Sequence, residues 1–361
     1  MLTIHPVIRE DVARVVCEKN IHWEKLFGKT VLITGASGLI GSYLVYTLLE
    51  LNEVKNARIK VLGLVRNGDK ARVQFGKLLA RGDFELIVQD VASPLKYDGE
   101  IGFIIHAASL VGRADFISNP VGVITTNFNG TLNLLEAARA RKAEGFVYLS
   151  SREIYGEPVS DKRFVSENDY GVVNPTLIRS CYPESKRLCE TLCISYLEQY
   201  KLPVRIVRMA HVYGPEFSFA SGRVWEEFVS MAAEGREIVL NSEGTMELAL
   251  TYVSDAVSGL FFALLNSEEM VCNVSNSSEI ITVRELAELC NTLSTEKPGV
   301  SVRIPKDRSG YLQNRVAFLD STKMEEEGWC VHISLNSGIS NLLTYLGKDK
   351  QTREIDDDDS E

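Results

Sequence analysis

"TVLITGASGLIG", residues 30–41, decides how the rest of the chain is read. "TVLIT" is a short β-branched run, and "LIGSYLVYTLLEL" after it has the length and residue types of a helix. Between them Gly35, Gly38 and Gly41 stand in a G-x-x-G-x-x-G spacing. Glycine permits a tight turn and lets the backbone approach a ligand closely. A helix opening at that point offers free N–H groups and a positive dipole end, which suit a pyrophosphate. Strand, glycine turn and helix in this order predict a nucleotide site; the plain alternative is a ligand-free turn.

Outward from this stretch the pattern repeats. "IKVLGLV", "FELIVQD", "GFIIHAA", "GFVYLSS" and "PVRIVRMA" are near-continuous apolar runs, separated by helical stretches such as "TLNLLEAARARK" and "YPESKRLCETLCISYLEQY". Apolar strands alternating with helices predict a parallel sheet covered on both faces, in a doubly wound α/β arrangement. After "HVYGP" the regularity changes, which predicts a smaller mixed α/β lobe from residues 211–248 and 276–347. The larger domain then takes 29–210 with 249–275, preceded by a helical extension over 1–28. Residues 348–361, charged and without a sustained apolar pattern, are expected to be a disordered acidic tail.

Composition bounds the partners. The net charge of −10 argues against general binding of nucleic acid or anionic membranes. No apolar run reaches the roughly 18–20 residues of a membrane span. Arg9, Glu10 and Asp11 occupy the place of a signal-peptide core. The seven cysteines are scattered without a CxxC pair, which predicts buried reduced thiols, a cytoplasmic protein and no metal site.

Tyr182 and Lys186 in "YPESK" are i and i+4 on a helix, hence neighbours on one face. Together with the glycine motif, this pair resembles the extended short-chain dehydrogenase/reductase family, and most closely its nucleotide-sugar epimerase and dehydratase branch. The resemblance runs from about residue 28 to 345 and includes "QDV", "HAAS", "NFNGTLNLLEAA", "SSREIYG", "RMAHVYGP", "SGRVWEEF", "YVSDAV" and "EEEGW". "RSCYPESKR" is similar to members associated with bacterial surface-polysaccharide sugars.

The resemblance implies a Rossmann-like fold, a homodimer and an enzyme acting on a nucleotide sugar through a 4-keto intermediate. It implies NAD as cofactor, with NADP as the alternative, held by Gly35, Ser37, Gly38, Leu39, Ile40, Gly41, Asp90, Val91, Ala107, Ala108, Asn127, Tyr182 and Lys186. Arg66, where an acid would hold a ribose hydroxyl, either meets a 2′-phosphate, lies over the adenine or is exposed. Tyr182 is expected to be the base, with Lys186 lowering its pKa and Ser151 orienting it. Glu153 matches an auxiliary carboxylate of dehydratases and decarboxylases, and substrate contacts fall on Arg152, His211, Arg223 and Arg315.

Three departures limit the reaction. Arg152 replaces the acid that protonates a departing oxygen in 4,6-dehydration, and arginine is a poor proton donor. Arg152 then either binds a carboxylate or phosphate, or pairs with Glu153 at the surface. His211 replaces an asparagine, and Leu248 replaces an arginine that meets the diphosphate. An epimer or reduced sugar is therefore favoured over a dehydrated product. The alternatives are a UDP-glucuronate-type decarboxylase, an NADPH-dependent keto-sugar reductase and a non-catalytic cofactor-binding subunit.

Overall fold

The computed structural model describes residues 2–112, 114–159, 161–217, 222–304 and 317–358, with side chains as far as residue 347. Its centre is a seven-stranded sheet. In spatial order the strands are Val271–Val274, Val204–Met209, Gly145–Ser151, Phe103–His106, Thr30–Thr34, Lys60–Val65 and Phe84–Val88. Every pairing is parallel. Chain order reverses between Thr30–Thr34 and Phe103–His106, so a crevice opens beyond the carboxyl ends of those two strands.

Period-two alternation explains why the strands are almost wholly apolar. Val31 and Ile33 enter one core with the helices Leu39–Lys55 and Val253–Leu265. Leu32 enters another with Pro120–Ala140 and Cys181–Tyr200. A sheet buried on both faces has no polar side to show. Helix Pro6–Val16 packs on the first of these layers and is an integral part of its core.

The later segments build smaller sheets. Glu247–Tyr252 pairs in parallel with His211–Tyr213 and antiparallel with Ile280–Thr282. Helices Val224–Ala233 and Val283–Leu293 lie beside them, the second closed by a Thr282/Glu285 capping box. Where the sequence suggests a tail, the backbone continues as helix from Leu335 to Asp358. The glutamine, arginine, glutamate and lysines of that stretch are good helix formers, which offsets the missing apolar pattern. Five cysteines are buried, but Cys17 and Cys330 are exposed, against the expectation of uniform burial. Among the described residues no helix is long and apolar enough to cross a membrane.

Candidate active site

The glycine turn works through its own backbone. Gly35 has φ +66°, a left-handed conformation, and a Cβ there would lie 2.9 Å from the Ala108 Cα. A Cβ on Gly41 would overlap the Gly35 carbonyl, so this glycine lets the helix start against the turn. Gly38, the N-cap, has an ordinary φ of −85°, and its Cβ would meet only the Gly35 oxygen, at 3.2 Å. The protein's own packing demands glycine at 35 and 41 more than at 38. Ser37, Leu39 and Ile40 are part-buried around the exposed Gly38.

Neighbouring strand ends complete this half of the crevice. His106 is buried between Thr34 Oγ1 (2.8 Å from Nδ1) and Thr131 Oγ1 (3.2 Å from Nε2). Burial pushes its pKa down to about 3, with the Lys186 charge acting the same way, so the ring is neutral. Ala108 N donates to Thr34 Oγ1 at 3.1 Å, and Ala107 and Ala108 are part-buried beside the turn. Asn127 is buried, donating to Ser185 Oγ at 2.9 Å and accepting from Ser109 at 2.8 Å. Val91 lies in the core, while Asp90 is exposed and accepts from Ala92 N at 2.8 Å. Arg66 is exposed beyond the second strand and has no partner among the described residues.

The reacting end joins the strand Gly145–Ser151 to the helix Cys181–Tyr200. Lys186 Nζ donates to Leu149 O at 2.8 Å, and Ser150 Oγ to Glu190 Oε1 at 2.5 Å. Ser151, whose Oγ accepts from Glu153 N at 3.3 Å, lies near Tyr182 and favours its ionised form. Three successive strand residues thus each meet a helix residue on successive turns of one face. Glu190 is held in turn by Arg208, with contacts of 2.7 Å and 3.1 Å. Arg208 also donates to Tyr155 Oη at 2.9 Å. No sequence signal pointed to this Glu190–Arg208 brace, because its members are far apart along the chain.

Tyr182 is buried, with the Phe116 ring 4.9 Å away between centroids. Burial pushes its pKa up to about 12. The Glu153 charge adds to that, while Ser151, Arg223 and Arg179 act in the opposite direction. For the protein alone, desolvation is the larger effect on this tyrosine. Lys186 is itself buried, which lowers its pKa to about 8.

Glu153 does not pair with Arg152. Both its oxygens accept from Arg179 Nη2 at 2.7 Å, and the Arg179 guanidinium lies 4.2 Å from the Phe116 ring centroid. Arg179 was missed in the sequence because the short turns carrying it and Glu153 are separated by a long excursion of chain. Its only signal is its place in "RSCYPESKR". Arg223 stands at the N-cap position of the helix Val224–Ala233 without a side-chain cap bond, 3.9 Å from Glu226, and its charge reaches Tyr182. His211 is part-buried on its strand, and Arg315 lies outside the described residues. Leu248 is buried opposite Ile281 and is a core residue.

The NAD dependent epimerase/dehydratase family model matches residues 31–275, from the first strand through the last strand of the large sheet. The chain belongs to the NAD-dependent epimerase/dehydratase family. This family member is 34% identical to UDP-glucuronic acid decarboxylase 6 of Arabidopsis thaliana over 309 residues, 86% of each chain. It is 29% identical to UDP-glucuronic acid decarboxylase 1 of Danio rerio over 321 residues, 89% of this chain and 73% of that one. Its fold is similar to UDP-glucose 4-epimerase from Thermotoga maritima, with TM-score 0.75 and 22% identity over 89% and 99% of the two chains. It is also similar to UDP-glucuronic acid 4-epimerase from Bacillus cereus, with TM-score 0.74 and 23% identity over 88% and 99%.

NAD is the cofactor of this epimerase/dehydratase family enzyme. The residues fit it: the left-handed Gly35 turn opens at a helix N-terminus at the switch point, with Ala108 close above.

Proposed function

We propose that the enzyme oxidises C4 of a nucleotide-linked hexuronic acid, UDP-glucuronic acid by analogy with its curated relatives, and removes C6 as carbon dioxide. The resemblance put epimerisation or dehydration first; relatives above 30% identity move decarboxylation ahead. The observation that carries the reading is the Ser151–Tyr182–Lys186 set joined to Glu153, with arginine instead of an acid at position 152. Losing carbon dioxide needs no acid for a departing C6 oxygen. Bound NAD supplies the hydride acceptor at C4 and returns the hydride at the end. Tyr182 takes the O4 proton, oriented by Ser151. The 4-keto sugar is then a β-keto acid: the C5–C6 bond breaks, its electron pair passes into the C4 carbonyl, and C5 takes up a proton. Lys186, anchored on Leu149 O, keeps a cation beside the tyrosine that carries the O4 proton.

Epimerisation of the uronic acid at C4 is the second reading, because the same Ser151–Tyr182–Lys186 set serves it, with the hydride returned to the other face of C4 and C6 retained. Carbon-13 NMR of UDP-glucuronate labelled at C6, incubated with enzyme and NAD, separates the two. Labelled bicarbonate with a pentose product is expected. Full retention of label in a C4 epimer would overturn decarboxylation.

We also infer a homodimer through Pro120–Ala140 and Cys181–Tyr200, whose exposed Val121, Ile124 and Leu188 support a helix-to-helix interface. Light scattering should give twice the chain mass, and Leu188→Glu the chain mass. A role in surface-polysaccharide sugars belongs to the same proposal and rests on "RSCYPESKR" alone.

A further inference from the structure

We propose that Arg152 recognises the C6 carboxylate of the sugar and is the residue that selects uronic acids over neutral hexoses. This rests on the hexuronic-acid reading above. Arg152 follows directly after Ser151, the N-cap of the short turn Arg152–Tyr155 and a neighbour of Tyr182. It is half-buried, its Nε is fully buried without an acceptor, and it makes no hydrogen bond or ion pair with a described residue. Arg179, whose charge acts on Arg152, carries a second buried, unpartnered atom, Nη1. The Glu153 carboxylate, the natural candidate to neutralise Arg152, has both oxygens on Arg179 Nη2 instead. Two guanidiniums against one carboxylate leave this cluster net positive. A buried donor without an acceptor is costly, so the arrangement calls for an anion from outside the chain.

Sugar chemistry identifies which anion. The diphosphate is attached at C1, across the pyranose ring from C4. The carboxylate is carried on C5, next to the carbon that Tyr182 serves. Because Arg152 neighbours Ser151 in the chain, we assign its guanidinium to the carboxylate and not to the diphosphate. Its planar donors match a carboxylate in pairs, which a hydroxymethyl group cannot reproduce. Leu248, buried in its strand, contributes no charge.

The test is equilibrium binding, by calorimetry on NAD-loaded Tyr182→Phe enzyme so that nothing turns over. UDP-glucuronate and UDP-glucose are titrated into that protein and into the same protein carrying Arg152→Ser, Arg152→Gln or Arg152→Lys. We expect Arg152→Ser and Arg152→Gln to weaken UDP-glucuronate by about ten- to a hundredfold and UDP-glucose by less than threefold, as loss of one charge-assisted pair implies. Arg152→Lys should recover part of the preference. Melting temperatures within a few degrees of the parent establish that the variants are folded. Equal weakening of both ligands, or an unchanged preference, would overturn the assignment. Carbon dioxide release by the wild type with an unchanged preference would sink Arg152 and leave the decarboxylase reading standing. A lost preference without any carbon dioxide release would do the reverse.

Discussion

Lys186 and Tyr182 are displaced by burial in opposite senses, one down to about 8 and the other up to about 12. Burial disfavours whichever form is charged. An ammonium that titrates near 8 supports the tyrosine below that pH and ceases to do so above it. The wild-type rate should therefore bend near pH 8, and Lys186→Met should lose the bend along with roughly a hundredfold or more of turnover. Stability carries the same signature. Between about 8 and the unfolded value near 10.5, the unfolded chain holds a proton that the folded one has released, so stability rises with pH. A denaturation series from pH 7 to 10 should show this slope in wild type and a flatter one in Lys186→Met. Tyr182→Phe should reduce turnover by about 10²–10⁴ with the fold kept. Near-normal turnover in that variant would remove the tyrosine from the chemistry.

The strand–turn–helix element separates two uses of glycine. Gly41 is required by packing, since any side chain would meet the Gly35 carbonyl; Gly38 is exposed and has a φ that other residues adopt. Gly41→Val should therefore lower the melting temperature markedly. Gly38→Val should leave it within a few degrees while weakening NAD at least tenfold, because a branched side chain blocks close approach to the pyrophosphate. Calorimetric titration with NAD, paired with thermal unfolding of each variant, checks both. Comparable NAD affinity in Gly38→Val and wild type would assign the turn a purely structural role.

At the scale of the whole molecule, one buried carboxylate ties the first helix to the body. Asp11 accepts from Tyr43 Oη at 2.9 Å and Tyr252 Oη at 2.8 Å, and pairs with Arg14 at 2.6 Å. Those tyrosines lie on the first helix after the glycine turn and on the strand that also carries Leu248. Burial raises the Asp11 pKa, against the opposing pull of these partners. Asp11→Ala would strand two buried hydroxyls and should cost about 3–5 kcal/mol. Urea unfolding measures it, and a loss below about 1 kcal/mol would show that this polar tie adds little to the apolar packing of the helix.

The sequence alone determined the parallel sheet, the turn at Gly35–Gly41 and the Tyr182/Lys186 pair, because each rests on local periodicity or on fixed spacing along one element. Two-sided burial makes strands apolar, a tight turn needs glycine, and i,i+4 residues share a helix face whatever surrounds them. Ser151 was legible only through the resemblance of "SSREIYG" to the family's strand end. Only the tertiary structure decided that Glu153 belongs to Arg179 and leaves Arg152 without an acceptor. It also decided that Glu190 and Arg208 brace the strand end, and that Asp11 joins the first helix to a strand residue 241 positions further along the chain. These contacts link side chains far apart in sequence, where no periodicity operates. The sign of the Tyr182 shift belongs with them: desolvation depends on what surrounds the ring, and that is fixed by packing and not by spacing.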